Sequence, residues 1–359
     1  MNRVEDVFPE SVYRCYQCAT CSAVCELSPD DSPFPRKQML LAQWGRDEKL
    51  LNDPAIWYCH FCNDCTVRCP RDARPGEVLQ EIRARVIEKL SVPRCLGRLF
   101  GSARWSWVVL LGLPLIFWLA VLYALNGLRV PDVPVGGLNY GELVPHWLIY
   151  LVFFPLAGFV VVVAALGASK FWKGLQGAER RQGSFISSLL AALRDIATHR
   201  RFGKCRAASG RRWGHFWLMW GFVGALVATT LAIVALYALD HYPLEPGHPF
   251  KWVGNIAALL LVTGGLLILG ERLKEDSPLG NTNAFDNFFL AVVLLVVFSG
   301  VLTEIGRFAF RPGLAIGIYI VHLASIFTLF LSLPYSKFAH LVYRTLAMVH
   351  ERMTEIQPK

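Results

Sequence analysis

The sequence predicts an all-α protein in which a small, cysteine-rich helical head is fused to six transmembrane helices. Three observations predict this fold: 54% of the 359 residues are hydrophobic, six apolar runs are long enough to cross a bilayer, and eight of the ten cysteines lie within the first 69 residues. The composition excludes a disordered chain, a secreted disulfide scaffold and a purely soluble enzyme. We divide the chain into a head at 1–92, a membrane domain at 93–344 and a cytoplasmic tail at 345–359.

The six apolar segments are predicted spans, because about 20 residues cross the hydrocarbon core. They are residues 104–126, 145–169, 213–239, 251–270, 286–306 and 314–336. The segment 170–212 carries eleven Lys and Arg residues against two acids, so the positive-inside rule puts it in the cytoplasm. Six spans then put both termini in the cytoplasm, in agreement with an N-terminus that lacks the apolar core of a signal peptide. Since topology explains the basic charge, no nucleic-acid interface is expected.

Short helices are predicted around the cysteine clusters and in the basic loop. Residues 35–51 and 75–90 have helical spacing of apolar positions, each with a proline near its start. Residues 184–197 are typical of an amphipathic helix that lies on the membrane surface or binds a partner.

Two copies of the motif C-x2-C-x2-C-x3-C occupy the head. The first is Cys15, Cys18, Cys21 and Cys25, and the second is Cys59, Cys62, Cys65 and Cys69. This is the spacing of ferredoxins with two [4Fe–4S] clusters, in which the last cysteine of each run ligates the other cluster. We therefore assign Cys69 to the first cluster and Cys25 to the second. The alternative is structural zinc, which favours two C-x2-C pairs separated by a longer loop. Cys95 and Cys205 are expected to be unliganded.

Histidines at the cytoplasmic ends of the spans are candidate haem ligands. His215 opens the third span, and His340 lies near the cytoplasmic end of the sixth, so two imidazoles at one depth could hold one iron. His322 and His340 are 18 residues apart, and on one continuous helix they would share a face about 27 Å apart. Because the chain has no C-x-x-C-H motif, the haem would be of the b type. Interfacial histidines without a metal are the alternative.

A second, outer haem would use His322, an ionisable group inside a span and therefore a functional candidate. His146, which opens the second span, is its favoured partner, and His241 and His248 are the alternatives. The remaining histidines, His60, His199 and His350, are assigned to the soluble or interfacial surface. Glu304 is expected to pair with Arg307 as an interfacial carboxylate.

Several motifs resemble those of known redox proteins. W-x-C-x2-C-x2-C-x3-C-P at 57–70 resembles the iron–sulfur protein HdrC of heterodisulfide reductase. HFWLMWGF at 215–222 and SLPYSKFAHLVYR at 332–344 resemble that enzyme's membrane cytochrome b and the gamma subunit of respiratory nitrate reductase. The fusion of both parts is most similar to the QmoC component of the quinone-interacting membrane-bound oxidoreductase complex.

The resemblance implies where haem is bound. In the gamma subunit of nitrate reductase, two spaced histidines of the last helix match His322 and His340, and a histidine of an earlier helix matches His215. The gamma subunit has a further histidine ten residues later, where this chain has Ala225.

The resemblance also implies a function. The chain would be an electron-transfer subunit of the cytoplasmic membrane with two haem b groups and with menaquinone as substrate. Its partners would be QmoA/QmoB-like flavin and iron–sulfur subunits, with a link to adenylylsulfate reductase in sulfur metabolism. Another heterodisulfide-reductase-like complex and a zinc-binding scaffold without a redox role are the alternatives. No catalytic side chain is expected, because the redox chemistry belongs to the cofactors.

Overall fold

The computed structural model describes residues 9–29, 33–101, 103–127, 129–130, 137–175, 183–205, 209–239, 244–274 and 284–354. Within these residues the protein is helical and has no strand, as an all-α fold requires. The helices of the head and its connection are α1 (Thr20–Ala23), α2 (Arg36–Gln43), α3 (Asp47–Leu51), α4 (Asp64–Val67), α5 (Pro75–Leu90) and α6 (Arg94–Gly101). The single helix predicted at 35–51 is divided into α2 and α3, because the chain turns at Gly45 with a φ of +62°.

The remaining helices form the membrane domain and a helical end. They are α7 (Ala103–Asn126), α8 (Tyr140–Leu143), α9 (His146–Gly174), α10 (Phe185–Ala197), α11 (Ser209–Tyr237), α12 (Pro249–Leu273), α13 (Ala284–Ala309), α14 (Pro312–Ser332) and α15 (His340–Thr354). In the part of the chain that the structure describes, six of them (α7, α9, α11, α12, α13 and α14) are long and apolar enough to cross a membrane, which confirms six candidate spans. The amphipathic helix predicted at 184–197 is α10.

The last span is shorter than predicted. Helix α14 ends at Ser332, the chain makes a 3₁₀ turn at Lys337–Ala339, and α15 begins at His340. Pro334 explains the break, because proline has no N–H for a helical hydrogen bond. His322 and His340 therefore lie on different helices, and the prediction that they share one helix face is wrong. The proposed boundary at 344 falls inside α15, which continues through the described part of the tail to Thr354.

The head packs directly on the membrane domain through aromatic side chains. Trp57 is fully buried, with its ring centroid 6.2 Å from that of Phe171 in α9 and 5.1 Å from that of Tyr343 in α15. These residues belong to one apolar core that also contains Val78 and Ile82 of α5. The head and the adjoining ends of α9 and α15 are therefore one packing unit.

Helices α11 and α12 approach closely where small residues face one another. A Cβ atom added at Gly264 of α12 would lie 2.6 Å from the backbone nitrogen of Leu218, and one at Gly214 would lie 3.1 Å from the carbonyl oxygen of Gly264. Small residues permit such close packing of membrane helices. This contact fixes the beginning of α11, where His215 lies.

At the opposite end of the spans, Glu304 pairs with Lys251 of α12. Lys251 Nζ lies 2.6 Å from the Glu304 carboxylate. Arg307 instead lies with its guanidinium carbon 5.0 Å from the ring centroid of Phe308, and its carbonyl oxygen accepts a 2.9 Å hydrogen bond from Leu138. The expected pairing of Glu304 with Arg307 is therefore wrong.

Candidate functional site

The two cysteine runs have the same backbone conformation. Gln17 and Ala19 in the first run have φ angles of +64° and +69°, and Phe61 and Asn63 in the second have φ angles of +55° and +68°. Each pair flanks the second cysteine of its run, Cys18 in the first and Cys62 in the second. Since left-handed conformations are uncommon and costly for residues other than glycine, their repetition indicates that both runs build the same kind of ligand loop.

The sulfur atoms of the runs are reduced and accept backbone hydrogen bonds. All eight cysteines are free thiols. Phe61 N–H donates to Cys59 Sγ at 3.2 Å, and Ala73 N–H donates to Cys69 Sγ at 3.3 Å. Hydrogen bonds to cysteine sulfur are among the features that set the properties of iron–sulfur clusters. The donor set and its loops therefore fit such clusters.

Cys25, the last cysteine of the first run, lies close to the second run. Burial raises the pKa of its thiol to about 11, and the charges of Cys59 and Cys62 add to that effect. Cys205 is also a neighbour of the second run, because a hydrogen bond from its thiol is the main cause that lowers the pKa of Cys62 to about 6. In the described residues, no three His, Cys, Asp or Glu side chains converge as the ligands of one ion would. A [4Fe–4S] cube needs no such convergence, because each thiolate binds a separate iron.

Three arginines bind the backbone around the second run. The carbonyl oxygens that accept from them are those of Ile56, Trp57, Cys59, His60 and Phe61. Arg344 donates at 2.9 Å from both Nε and Nη2, Arg83 donates at 2.7 and 2.6 Å, and Arg211 donates to the last two carbonyls. Because these arginines come from α15, α5 and α11, the second run is tied to the head and to the membrane domain together.

A cavity of about 410 Å³ lies between the second run and the membrane helices. Its walls include apolar residues of α11 and α13: Leu218, Met219, Phe222, Phe289 and Val293. Basic residues also line it: Arg83, Arg211, Lys337 and Arg344. An apolar chamber with basic groups suits a flat, apolar ligand that carries carboxylates, since guanidinium matches carboxylate geometry.

His215 and His340 face each other in this cavity. Their ring centroids are 6.0 Å apart and the rings are inclined by 68°. Bonds from a metal to imidazole nitrogen are about 2.0–2.1 Å long, so imidazoles on opposite sides of one metal have centroids about 6 Å apart. His340 donates its Nδ1–H to the carbonyl of Lys337, which leaves Nε2 as its free acceptor. Burial and the nearby charge of Arg344 lower the pKa of His340 to about 3, so it is neutral. The pair therefore fits axial ligands of a haem.

Two histidines assigned to the surface line the same cavity. His199 is 6% exposed, and its Nε2 lies 2.7 Å from Nδ1 of His215. His60 stacks on Phe202, with centroids 4.7 Å apart and ring planes inclined by 7°. Burial, aided by the charges of Arg344 and Arg83, holds the pKa of His60 well below its ordinary value. The surface assignment was wrong for these residues, because a histidine in a basic loop or cysteine motif gives no hydropathy signal of burial. It was also wrong for His350 of α15, which is 6% exposed.

The outer histidines have separate neighbours. His322 Nδ1 lies 3.0 Å from the hydroxyl of Ser299, and its ring packs against Gly300. His146 begins α9 and lies against Gly141. His248 caps α12 by accepting from the Phe250 N–H at 3.2 Å, and His241 lies outside the described residues. The pairing of His322 with His146 therefore stays a prediction.

A head with two cysteine runs on a body of six candidate spans is the architecture of a membrane-associated iron–sulfur electron-transfer protein. Residues 11–73 match the 4Fe–4S dicluster domain, which confirms the prediction of iron–sulfur clusters. Residues 102–359 match the family described as citrate utilization protein B, and the chain belongs to this family.

Curated relatives cover the whole chain and the head separately. Citrate utilization protein B of Escherichia coli is 26% identical over 355 residues, which cover 93% of this chain and 88% of the relative. A protein of Archaeoglobus profundus that is described as similar to HdrC of heterodisulfide reductase is 31% identical over 90 residues. The iron–sulfur protein HdrC 2 of the CoB–CoM heterodisulfide reductase of Methanocaldococcus jannaschii is 35% identical over 85 residues. These two matches cover 25% and 24% of this chain and 48% and 45% of the relatives. No solved structure matches the chain.

These similarities correct one expectation. The resemblance of the head to HdrC of heterodisulfide reductase is confirmed. The body, however, matches the citrate utilization protein B family and not the QmoC protein that the sequence motifs suggested. Short motifs such as HFWLMWGF carried that expectation, and they are too short to separate families of membrane proteins.

Proposed function

We propose that this protein is the membrane subunit of an oxidoreductase complex that conducts electrons between a cytoplasmic flavin-containing partner and menaquinone. When bound, two [4Fe–4S] clusters and haem b would supply one-electron transfer along this route. The observation that carries the proposal is the position of the second cysteine run. His60 and Phe61 of that run line the same cavity as His215 and His340, so the loop that carries the second cysteine run borders the cavity of the candidate haem ligands.

Separate sets of residues would bind the two clusters and the haem. Cys15, Cys18, Cys21 and Cys69 would hold one cluster, and Cys59, Cys62, Cys65 and Cys25 would hold the other. The proximity of Cys25 to Cys59 and Cys62 supports this exchange of the last cysteines. His215 and His340 would ligate haem b, with apolar side chains excluding water. The positive charges of Arg211 and Arg344, which also donate to backbone carbonyls, would favour its propionates.

A partner would bind the head at the first cysteine run, which is more exposed to solvent. Cys18 is exposed, and Tyr16 and Trp44 nearby in the head are 59% and 63% exposed. The arginines that bind the second run tie it to the membrane helices instead. The first cluster would therefore face the partner, and the second would face the membrane domain.

We infer the identity of the partner from citrate utilization protein B of Escherichia coli, whose match covers 93% of this chain. Because that relative is named for citrate utilization, we infer a flavin-containing partner of tricarboxylate metabolism in place of QmoA, QmoB and adenylylsulfate reductase. The excess of basic residues at 170–212 supports a head that faces the cytoplasm.

A second haem b would be held by His322 and His146. The Ser299 hydroxyl beside His322 Nδ1 would leave Nε2 for a metal. Ser299 thus resembles the hydrogen-bonding partners that usually orient ligating histidines.

Haem b and iron per chain in the purified membrane protein test the proposed function. About two haems and ten irons per chain are expected, eight of the irons in the two clusters, together with haem reduction by a menaquinol analogue. One haem would remove the outer site and keep the inner one. No haem in a preparation that retains its iron would overturn the cytochrome function and leave an iron–sulfur protein attached to the membrane.

A further inference from the structure

His199 is held in an unusual backbone conformation at the end of α10. Helix α10 ends with a Schellman motif, because His199 N–H donates to Ile196 O and Arg200 N–H donates to Asp195 O, both at 3.1 Å. The residue at this position is left-handed and is usually glycine. His199 has a φ of +52°. A histidine here gives up the backbone freedom of glycine, so its side chain must provide something that glycine would not.

The side chain is buried and aimed at one candidate ligand. The ring of His199 lies between Phe202, at 6.2 Å, and Phe216, at 5.4 Å. Its Nε2 lies 2.7 Å from Nδ1 of His215. When the Nε2 atom of a histidine binds a metal, Nδ1 carries the proton, so His215 would donate and His199 would accept. Ligating histidines commonly donate to such a partner, which fixes the ring and makes the ligand more basic.

We infer that His199 is a positioning residue that accepts the Nδ1–H of His215 and thereby orients His215 Nε2 and tunes the metal group it binds. The inference rests on the proposed function, because it needs haem at His215 and His340. Nδ1 of each candidate ligand has a hydrogen-bond partner. His340 donates Nδ1–H to a backbone carbonyl, that of Lys337, whereas His215 donates to a side chain that a single substitution removes.

Three variants distinguish the effect of the His199 side chain from the effect of its left-handed backbone conformation. His199→Gly relaxes the left-handed residue and removes the ring. His199→Leu keeps bulk without an acceptor. His199→Gln places an amide oxygen near the original Nε2. If His199 were only structural, the glycine variant would be the best tolerated of the three.

The experiment measures haem affinity, the electron paramagnetic resonance spectrum of the ferric haem and its midpoint potential in the purified full-length chain. We expect the glycine and leucine variants to bind haem about 10–100-fold more weakly, with a changed spectrum and a higher midpoint potential, because the ligand becomes less basic. The glutamine variant should stay near the parent protein. Equal behaviour of the leucine and glutamine variants, whether both match the parent or both lose haem, would overturn the inference. His215→Ala and His340→Ala test the proposed function separately, since haem retained in both would refute the site itself.

Discussion

Arg344 donates a hydrogen bond of 2.9 Å to the carbonyl oxygen of Cys59, a residue 285 positions earlier in the chain. A second bond of 2.9 Å reaches Trp57 O, and a third contact of 3.3 Å reaches Nδ1 of His60. Burial lowers the pKa of Arg344 to about 9, which leaves it protonated at neutral pH. A buried cation is tolerated because backbone carbonyls solvate it. One side chain of the C-terminal helix thus shapes the loop of the second cysteine run.

Arg344→Gln is expected to destabilise the contact between head and membrane domain by about 2–4 kcal/mol, because buried carbonyls lose charged donors. Arg344→Lys should recover only part of this, since lysine cannot reproduce the planar fork. Thermal unfolding in detergent and protease sensitivity of the head measure the effect. Arg85→Gln is the matched control on α5, where a partly exposed pair with Glu81 at 3.2 Å should contribute less than about 1 kcal/mol. If Arg344→Gln were as stable as this control, the proposed anchoring would be wrong.

Trp57→Ala is expected to cost about 3–5 kcal/mol, because it leaves a cavity between Phe171 and Tyr343. Trp57→Phe should cost less, since the phenyl ring retains part of the contact. The free energy of unfolding and the release of the head by limited proteolysis measure this. An alanine variant whose head remains protected from protease would contradict the packing.

Cys25→Ser should damage the cluster of the second run and not that of its own run. Its electron paramagnetic resonance spectrum after reduction is therefore expected to match that of Cys59→Ser and to differ from that of Cys15→Ser. Cys95→Ser is the control, because Cys95 is an exposed thiol outside both runs. A Cys25→Ser spectrum that matches Cys15→Ser would show that each run completes its own cluster.

His215→Ala and His340→Ala should each lower the haem content by one per chain, because either change removes one of two axial ligands. The pyridine haemochrome assay counts the haem. His350→Gln is a suitable control, since His350 is also buried on α15 but lies beside Trp172 at a ring distance of 6.4 Å, away from the cavity. Unchanged haem in the His340 variant would refute the pairing.

The sequence predicted the features that depend on local pattern. Hydropathy identified the six spans to within a few residues, and cysteine spacing identified the iron–sulfur domain, because both signals lie within short windows of the chain. The end of α14 was misplaced because Pro334 interrupts a hydropathy pattern that continues past it.

Contacts between distant residues were not predictable in this way. Arg211 and Arg344 carry no motif, and their targets are backbone carbonyls, which every residue has. The role of His199 depends on a ring-to-ring contact across the cavity, and Lys251 meets Glu304 only after α12 and α13 have packed. A single sequence holds no signal for such pairs.

Helix α15 joins two parts of the protein mechanically. Tyr343 packs on Trp57, Arg344 binds the second cysteine run, and His340 lies one turn earlier on the same side of the helix. Because these three residues share one helix, we expect a displacement of the head to be transmitted to His340. Folding of the head and assembly of the cavity around His340 should therefore occur as one cooperative event. A partner that displaces the head would also displace the His340 imidazole in that cavity.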